Sequence, residues 1–302
     1  DHVMLDLALN RIDARDIEHL LGSLARPGPI PAPEKDSLRI SALAGAQEKI
    51  ALLGQDGRWH APSGATPSTH ILKPPIGRVG DMQADFTTSV ENEWLCSKLV
   101  AAYGLPIASC EIGRFGDAKA LVVERFDRRV ASNGQYWIRL PQEDMCQALG
   151  VSASRKYESD GGPGMAEVLR VLAASSASFE DRRNFLKAQI LFWMLAATDG
   201  HAKNFSIHHE RGGSFRATPL YDVLSAWPVI GNGRDQWQWK KARLAMAVRS
   251  GNAHYHLDRI QRRHWNATAH ASGVGVDAEP VIGELVAATS GAVASAHAAL
   301  PA

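Results

Sequence analysis

The stretch Ala197-Thr198-Asp199-Gly200-His201-Ala202-Lys203-Asn204 sets an aspartate five residues before an asparagine, on the turn that follows an apolar helical segment. The spacing D-x-x-x-x-N suits phosphoryl transfer: a carboxylate stands beside the hydroxyl to be phosphorylated, and a carboxamide oxygen reaches a magnesium ion that neutralises the phosphates. Eighteen residues past Asn204, Asp222 lies between Leu220-Tyr221 and Val223-Leu224, a polar residue among apolar neighbours, as a second metal ligand would be. The bland alternatives are a helix end closed by Thr198, Asp199 and Gly200, and a buried capping aspartate at 222. The first explains the glycine but not the crowd of functional side chains in the next four positions.

Upstream of this stretch, residues 185–195 are apolar on nearly every side, which predicts a buried helix. Ser178 is expected to cap it, with Asp181 completing a capping box. Further towards the start, residues 1–26 carry helical spacing, and Pro27, Gly28, Pro29, Pro31 and Pro33 then make a stiff connector, so a leading arm is expected. Gln55-Asp56-Gly57 between two apolar runs predicts a β-hairpin, and Thr69-His70-Ile71-Leu72-Lys73 a third strand stopped by Pro74 and Pro75. Residues 86–103 have apolar positions three to four apart, which predicts an amphipathic helix ending at Gly104, and residues 118–126 read as a strand. From Asp144 onward the pattern turns mostly helical, down to an alanine-rich tail at 287–302. The order fits an α+β fold, that of a two-lobed nucleotide-binding enzyme with a β-rich front lobe (1–126), a helical back lobe carrying the catalytic loop (127–302) and chemistry at their junction, although pattern alone does not choose among such folds.

Phosphoryl transfer needs phosphates cradled and their charge neutralised. Ala44-Gly45-Ala46-Gln47-Glu48-Lys49 is made of residues that let backbone approach a ligand, although it matches neither Walker A nor G-x-G-x-x-G, and a structural turn explains it equally well. Lys73 ends an apolar strand, where a phosphate-binding lysine would stand; its natural partner is Glu93, with Glu91 in reserve. His208 with His209, and His254 with His256, lack a third ligand at metal spacing and read as surface histidines. Trp237 and Trp239, at alternate positions, read as a strand packing on the core.

The chain has 302 residues, 45% of them hydrophobic, and a formal charge of +1, so the total carries no basic excess for coating nucleic acid. Cys96, Cys110 and Cys146 match no C-x-x-C spacing, which signals neither a disulfide framework nor a zinc site and fits a reducing, cytoplasmic setting. The longest apolar run, residues 190–197, is far below the ~20 residues of a bilayer span, and no membrane partner is expected. Neither G-x-S-x-G nor H-E-x-x-H occurs, which removes the first requirement of serine hydrolases and zinc proteases.

Taken in order, AGAQEK, THILK, VERFDRR, LPQEDMCQALG, KYESDGGPG, ATDGHAKNFS and LYDVLSA make the chain, from about Arg39 to the end, closely resemble the HipA family of serine/threonine kinase toxins of bacterial toxin–antitoxin pairs. The resemblance implies a two-lobed protein-kinase-like fold of the phosphatidylinositol 3/4-kinase-like group, active with ATP and Mg²⁺. It implies Asp199 as catalytic base and Asn204 and Asp222 as Mg²⁺ ligands. The nucleotide would be bound by Ala44 to Lys49, by Lys73, by a hinge at Glu124, Arg125 and Phe126, and by His201, Ala202, Lys203, Asn204, Tyr221 and Asp222. A HipB-type helix-turn-helix antitoxin is the implied partner, and an aminoacyl-tRNA synthetase the implied substrate, whose modification would arrest growth. A non-catalytic, pseudokinase-like partner of a DNA-binding antitoxin, acting in operator repression, is the alternative.

Three departures from the family pattern stand out. The regulatory serine that family members carry two positions before AGAQEK is replaced by Ala42, leaving Ser41, one residue upstream, as the candidate autophosphorylation site. The small β-rich subdomain at the front of full-length relatives has no counterpart, so the chain is expected to begin inside a longer gene product or to belong to a split system. Arg249-Ser250-Gly251-Asn252-Ala253-His254 is thin in positive charge, so DNA contact is expected mainly through the antitoxin.

Overall fold

The computed structural model describes residues 3–4, 10–24, 47–64, 66–79, 83–134 and 136–300. The chain divides into two compact units, Asp1–Gly77 with Phe86–Trp94 and Ala108–Leu140, and Arg78–Asp85 with Leu95–Ile107 and Pro141–Ala302.

The first unit begins with β1 (Val3–Met4), β2 (Asn10–Ile12) and α1 (Ala14–Leu24). Among the described residues, the helical spacing over 1–26 yields one helix, from Ala14. Asp13 starts it by accepting from the Arg15 and Asp16 amides at 2.8 and 3.0 Å, and β2 is claimed instead by pairing, Ile12 opposite Trp59. Then come β3 (Ile50–Gln55), β4 (Arg58–Ala61), β5 (His70–Lys73), the short pair β6 (Gly77–Val79) and β7 (Ala84–Phe86), α2 (Ser89–Ala102), β8 (Cys110–Phe115), β9 (Ala118–Glu124), β10 (Arg128–Val130) and β11 (Tyr136–Arg139). The expected hairpin is β3–β4, closed by Asp56 and Gly57, both at positive φ (52° and 71°), as a two-residue turn that follows strand twist requires.

Six strands form one antiparallel sheet in the order β2-β4-β3-β5-β9-β8. Ile17 and Leu21 of α1 pack with Ile50, Leu52, Leu72 and Val122 of the sheet. Leu121, the neighbour of Val122 along β9, packs instead with Val90 and Trp94 of α2 and with Cys110. The alternation along β9 assigns these two sets to opposite faces. α2 spans both units by sequence, its residues to Trp94 lying in the first.

The second unit holds β12 (Gln142–Asp144), α3 (Met145–Ala148), α4 (Met165–Leu172), α5 (Ser178–Met194), β13 (Ser206–His209), β14 (Phe215–Ala217), β15 (Arg243–Ser250), β16 (Asn252–His256), α6 (Arg262–Ala271) and α7 (Glu279–Ala298). Beside its helices it holds a β12-β13-β14 sheet and a β15-β16 hairpin. α5 is the buried helix expected from its composition, with residues 185–192 enclosed. Its cap differs from expectation. Ala177 is the N-cap residue, and Asp181 turns away to accept from the Ser175 hydroxyl and, at 2.9 Å, from the Ala217 amide. Both donors meet Asp181 Oδ2, and this fixes the carboxylate away from its own helix end.

α7 is long and apolar enough to cross a membrane by length and composition; here it packs on α5, where Arg183 and Lys187 both bind Glu284. Trp237 and Trp239 do not share a strand: Trp237 forms an isolated bridge with Ile230, and Trp239 opens a short 3-10 turn and stacks on Trp227 at 4.9 Å. His209 is exposed and pairs with Glu143 at 2.8 Å, whereas His254 is half-buried and stacks on His264 at 3.8 Å.

Candidate active site

α5 ends at Met194, and the chain leaves it through Ala196 at φ 49°, with the Ala197 amide donating to Phe192 O at 2.8 Å. Gly200 passes so close to the Phe192 ring that a Cβ there would lie 2.6 Å from it, so the sequence has no other residue to offer at that point. The His201 amide then donates to Asp199 O (2.8 Å) and the Asn204 amide to His201 O (2.9 Å), winding a short 3-10 turn before β13 begins.

The segment carrying Asp222 is tied to this loop on both sides. Before it, the Tyr221 hydroxyl donates to Lys203 O at 2.8 Å and meets the Ser206 hydroxyl at 2.5 Å. After it, the Ser225 hydroxyl donates to Leu195 O at 2.6 Å and the Ala226 amide to Ala196 O at 2.9 Å. Asp222 itself sits at φ 63°, a left-handed conformation that aspartate tolerates and that recurs where a site over-determines the backbone. Its charge is felt at His201. Asp199, Asn204 and Asp222 are therefore brought into one neighbourhood of the second unit.

The polar atoms there are unevenly satisfied. Asn204 is 4% exposed, and its Oδ1 has no hydrogen-bond partner among the described residues; the same holds for Nδ1 of the buried His201. An unpaired acceptor in a buried site costs roughly 1–3 kcal/mol, so its persistence calls for an explanation. A hard divalent cation supplies one, because Mg²⁺ takes oxygen ligands from one or two protein groups and completes its shell with phosphates and water. Asn204 Oδ1 with the Asp222 carboxylate fits that donor set. Among the described residues no group of three or more His, Cys, Asp and Glu could hold a metal without such added ligands.

Burial pushes the His201 imidazole below its ordinary range, against the opposing charge of Asp199, whose Oδ1 lies 3.8 Å from Nε2. A neutral ring results. Lys203 pairs with Asp144 at 2.5 Å, while Asp144 also caps α3 through the Gln147 amide. The Asp199 side chain is 59% exposed and accepts from the Tyr157 hydroxyl. Tyr157 and Asp144 escaped the reading of the sequence; the glycine-rich run after Tyr157 was the one available signal of a tightly shaped loop. A cavity of about 200 Å³ also reaches Asn204, but Leu105, Met145, Leu172, Phe185 and Phe205 line it, which does not suit a phosphate.

In the first unit, Lys73 and Glu93 meet at 2.5 Å, their side chains only 6% and 10% exposed. Glu91 instead binds Lys119. Gln47 donates to Pro74 O at 2.6 Å, beside Lys73; Glu48 is exposed and Lys49 half-buried. Ala44, Gly45, Ala46 and Ser41 lie outside the described residues. At the end of β9 the Glu124 amide donates to Ser109 O (2.9 Å) and the Arg125 amide to Thr69 O (2.8 Å), while the Arg125 guanidinium grips Asp127 with two bonds at 2.8 and 2.9 Å. Phe126 is half-buried beside them.

Residues 41–293 match the family described as the HipA-like C-terminal domain. A Sinorhizobium fredii protein named "Putative kinase Y4mE" is 37% identical over 247 residues, which is 80% of this chain and 53% of that protein. The Shewanella oneidensis "Serine/threonine-protein kinase toxin HipA" is 29% identical over 218 residues, 68% of this chain and 46% of that one. The chain thus spans about half the length of the curated relatives it matches. A chain of the solved Shewanella oneidensis complex of HipA, HipB and operator DNA matches with a TM-score of 0.77 at 25% identity, over 99% of this chain and 68% of that one. With 253 consecutive residues inside the family's domain and a mixed α/β fold shared with a HipA complex, this chain belongs to the HipA-like C-terminal domain family.

Proposed function

We propose that the chain is an ATP- and Mg²⁺-dependent protein serine/threonine kinase of the phosphatidylinositol 3/4-kinase-like group. It would act in the cytoplasm as the toxin of a toxin–antitoxin pair, with a HipB-type antitoxin as partner and DNA contacted mainly through that antitoxin. An aminoacyl-tRNA synthetase is the proposed substrate, its modification halting translation. The carrying observation is the buried, unpartnered Oδ1 of Asn204, five residues after Asp199 and tethered to the segment of Asp222. The names of the relatives and the HipB and operator DNA of the solved complex support the same reading.

In this reading Asp199 accepts the proton of the acceptor serine, for which its half-exposed carboxylate is accessible. Asn204 and Asp222 would hold Mg²⁺, which when bound neutralises the phosphate charge that builds up during transfer. Lys73, which Glu93 holds, would serve the nucleotide phosphates, with the run Ala44 to Lys49 as the proposed phosphate loop. Tyr221 shapes the pocket by fixing the Lys203 carbonyl and Ser206. His201, neutral and beside Asp199, adds no second positive charge to compete with the metal.

The test is incubation with γ-labelled ATP and a bacterial translation extract, followed by identification of the labelled band. Asp199→Ala is expected to lower the labelling by about a hundred- to ten-thousand-fold. Equal labelling by both proteins would remove Asp199 from the reaction. No labelling, with a melting-temperature shift by Mg-ATP that Asp222→Ala abolishes, would favour a non-catalytic partner of the antitoxin instead.

A further inference from the structure

We infer that Tyr157 is the positioning residue of Asp199, and that residues 152–164 are shaped to hold its hydroxyl on one carboxylate oxygen so that the other is presented to the acceptor. This role rests on the phosphoryl-transfer reading above.

The hydroxyl of Tyr157 donates to Asp199 Oδ1, and its ring stands edge-on to His201 at 5.1 Å and 79°. A tyrosine that merely needed a partner could use water, since the carboxylate it engages is more than half exposed. The surrounding loop goes to some length to make this contact. The Tyr157 carbonyl accepts from the Asp160 and Gly162 amides at 3.1 and 2.9 Å, curling the chain into a compact turn. A Cβ on Gly162 would lie 2.1 Å from Arg155 O and 2.7 Å from Tyr157 O, and one on Gly164 would lie 2.5 Å from the Glu158 carboxyl carbon. Both neighbours of Tyr157 are anchored in different directions. Lys156 O accepts from the Ala202 amide of the site loop at 3.3 Å, and the Glu158 carboxylate accepts from the Ala247 amide of β15 at 2.6 Å and from Arg249.

An exposed aspartate on a loop otherwise samples several rotamers, each misdirecting the base. A displacement of about 1 Å at a reacting group can cost around a hundred-fold in rate. With Oδ1 engaged by a donor fixed at both sides, Oδ2 keeps its lone pairs for the serine proton. The proton moves there as the serine oxygen bonds to the γ-phosphorus and the bond from that phosphorus to ADP breaks. Burial, then the hydrogen bond and charge of Asp199, and further Asp160, push the Tyr157 phenol above its ordinary range, so it stays a donor throughout the working pH. Lys156, whose ammonium lies 5.2 Å from the ring centroid, and neutral His201 are the other polar groups facing it.

Tyr157→Phe keeps the ring and removes only the donor. It is expected to lower kcat for labelling of the extract acceptor by about ten- to a hundred-fold, with KM for ATP within about twofold of the parent. Gly162→Ala, which keeps the hydroxyl but moves it, should give the same kcat loss. A readout independent of activity is ultraviolet titration of the phenols. The difference between parent and Tyr157→Phe isolates one phenol that ionises late, and Asp199→Asn should bring that ionisation to lower pH. A Tyr157→Phe enzyme as fast as the parent overturns the proposal; a faster one does so as well, by showing that the hydroxyl competes with the acceptor. An unchanged Tyr157 titration in Asp199→Asn also overturns it. A failure of the kinase reading looks different: parent and Asp199→Ala are then equally inert, and this role falls with it.

Discussion

Lys73 with Glu93 in the first unit, and the Asp199–Asn204 loop in the second, are two polar arrangements built on opposite terms. The first is a buried ion pair whose partners answer each other at 2.5 Å. The second leaves Asn204 Oδ1 and His201 Nδ1 without partners among the described residues and puts Asp222 at φ 63°. Burying a charge is tolerable when its counter-charge is in place, and leaving an acceptor unpaired persists when something outside the chain supplies the partner. The comparison therefore separates polar groups answered within the chain from polar groups left open, in a way that burial alone does not: Lys73, Glu93, His201 and Asn204 are all buried.

Removing half of the buried pair should break the comparison most visibly. Lys73→Met takes the counter-charge from the buried Glu93 carboxylate and is expected to cost about 3–5 kcal/mol in urea unfolding, most of it recovered in Lys73→Met/Glu93→Leu. A single variant as stable as the parent would mean that Glu93 reaches water.

Acid should find the next weak point at Asp127. Burial tends to raise this carboxyl, but hydrogen bonds and charges from Arg125 and Arg128 outweigh it and hold it below its ordinary 3.8. A depressed folded value means that the stabilisation is complete above the unfolded pKa and disappears as pH falls through the folded one. Asp127→Asn should accordingly lower the urea midpoint at pH 7 and flatten its decline below about pH 5. Parallel midpoint curves for parent and variant would contradict this.

Asn204→Leu sharpens the contrast from the other side. It deletes an unsatisfied acceptor, so stability should stay within about 1 kcal/mol of the parent, while the melting-temperature shift produced by Mg-ATP disappears. A large loss of stability would recast Asn204 as a structural residue. The smallest effect is expected at Glu91, two residues from Glu93 on the same helix but 44% exposed: Glu91→Ala should change unfolding by no more than about 1 kcal/mol. A cost approaching that of Lys73→Met would erase the distinction between the two glutamates.

Local chemistry in the sequence carried much of the fold. Asp56-Gly57 specifies its hairpin because both positions need positive φ, and α5, apolar on nearly every side in its second half, lies inside, taking Lys187 and Gln189 with it. The misreadings arose where distant partners compete for a group. Ser178 lost its capping role because Asp181 is drawn to Ser175 and the Ala217 amide. Residues 10–12, helical by spacing, are taken by β4. Trp237 and Trp239 meet the alternation of a strand but are separated by a 3-10 turn and a stack on Trp227.

For the site, the order and spacing of Asp199, Asn204 and Asp222 suggested a phosphoryl-transfer pattern beside the plainer readings of a helix end and a capping aspartate, and the structure ties the loop and the segment of Asp222 together. The sequence also narrowed the partner of Lys73 to two glutamates. Its preference for Glu93 over Glu91 holds in the packed helix, where a two-residue step turns the side chain by about 200° and leaves Glu91 to Lys119. By contrast, no pattern in the chain links Tyr157 to Asp199, 42 positions apart. That contact exists because glycines let one loop fold tightly against another, and close approach of backbone is a property of three-dimensional packing that composition permits without specifying.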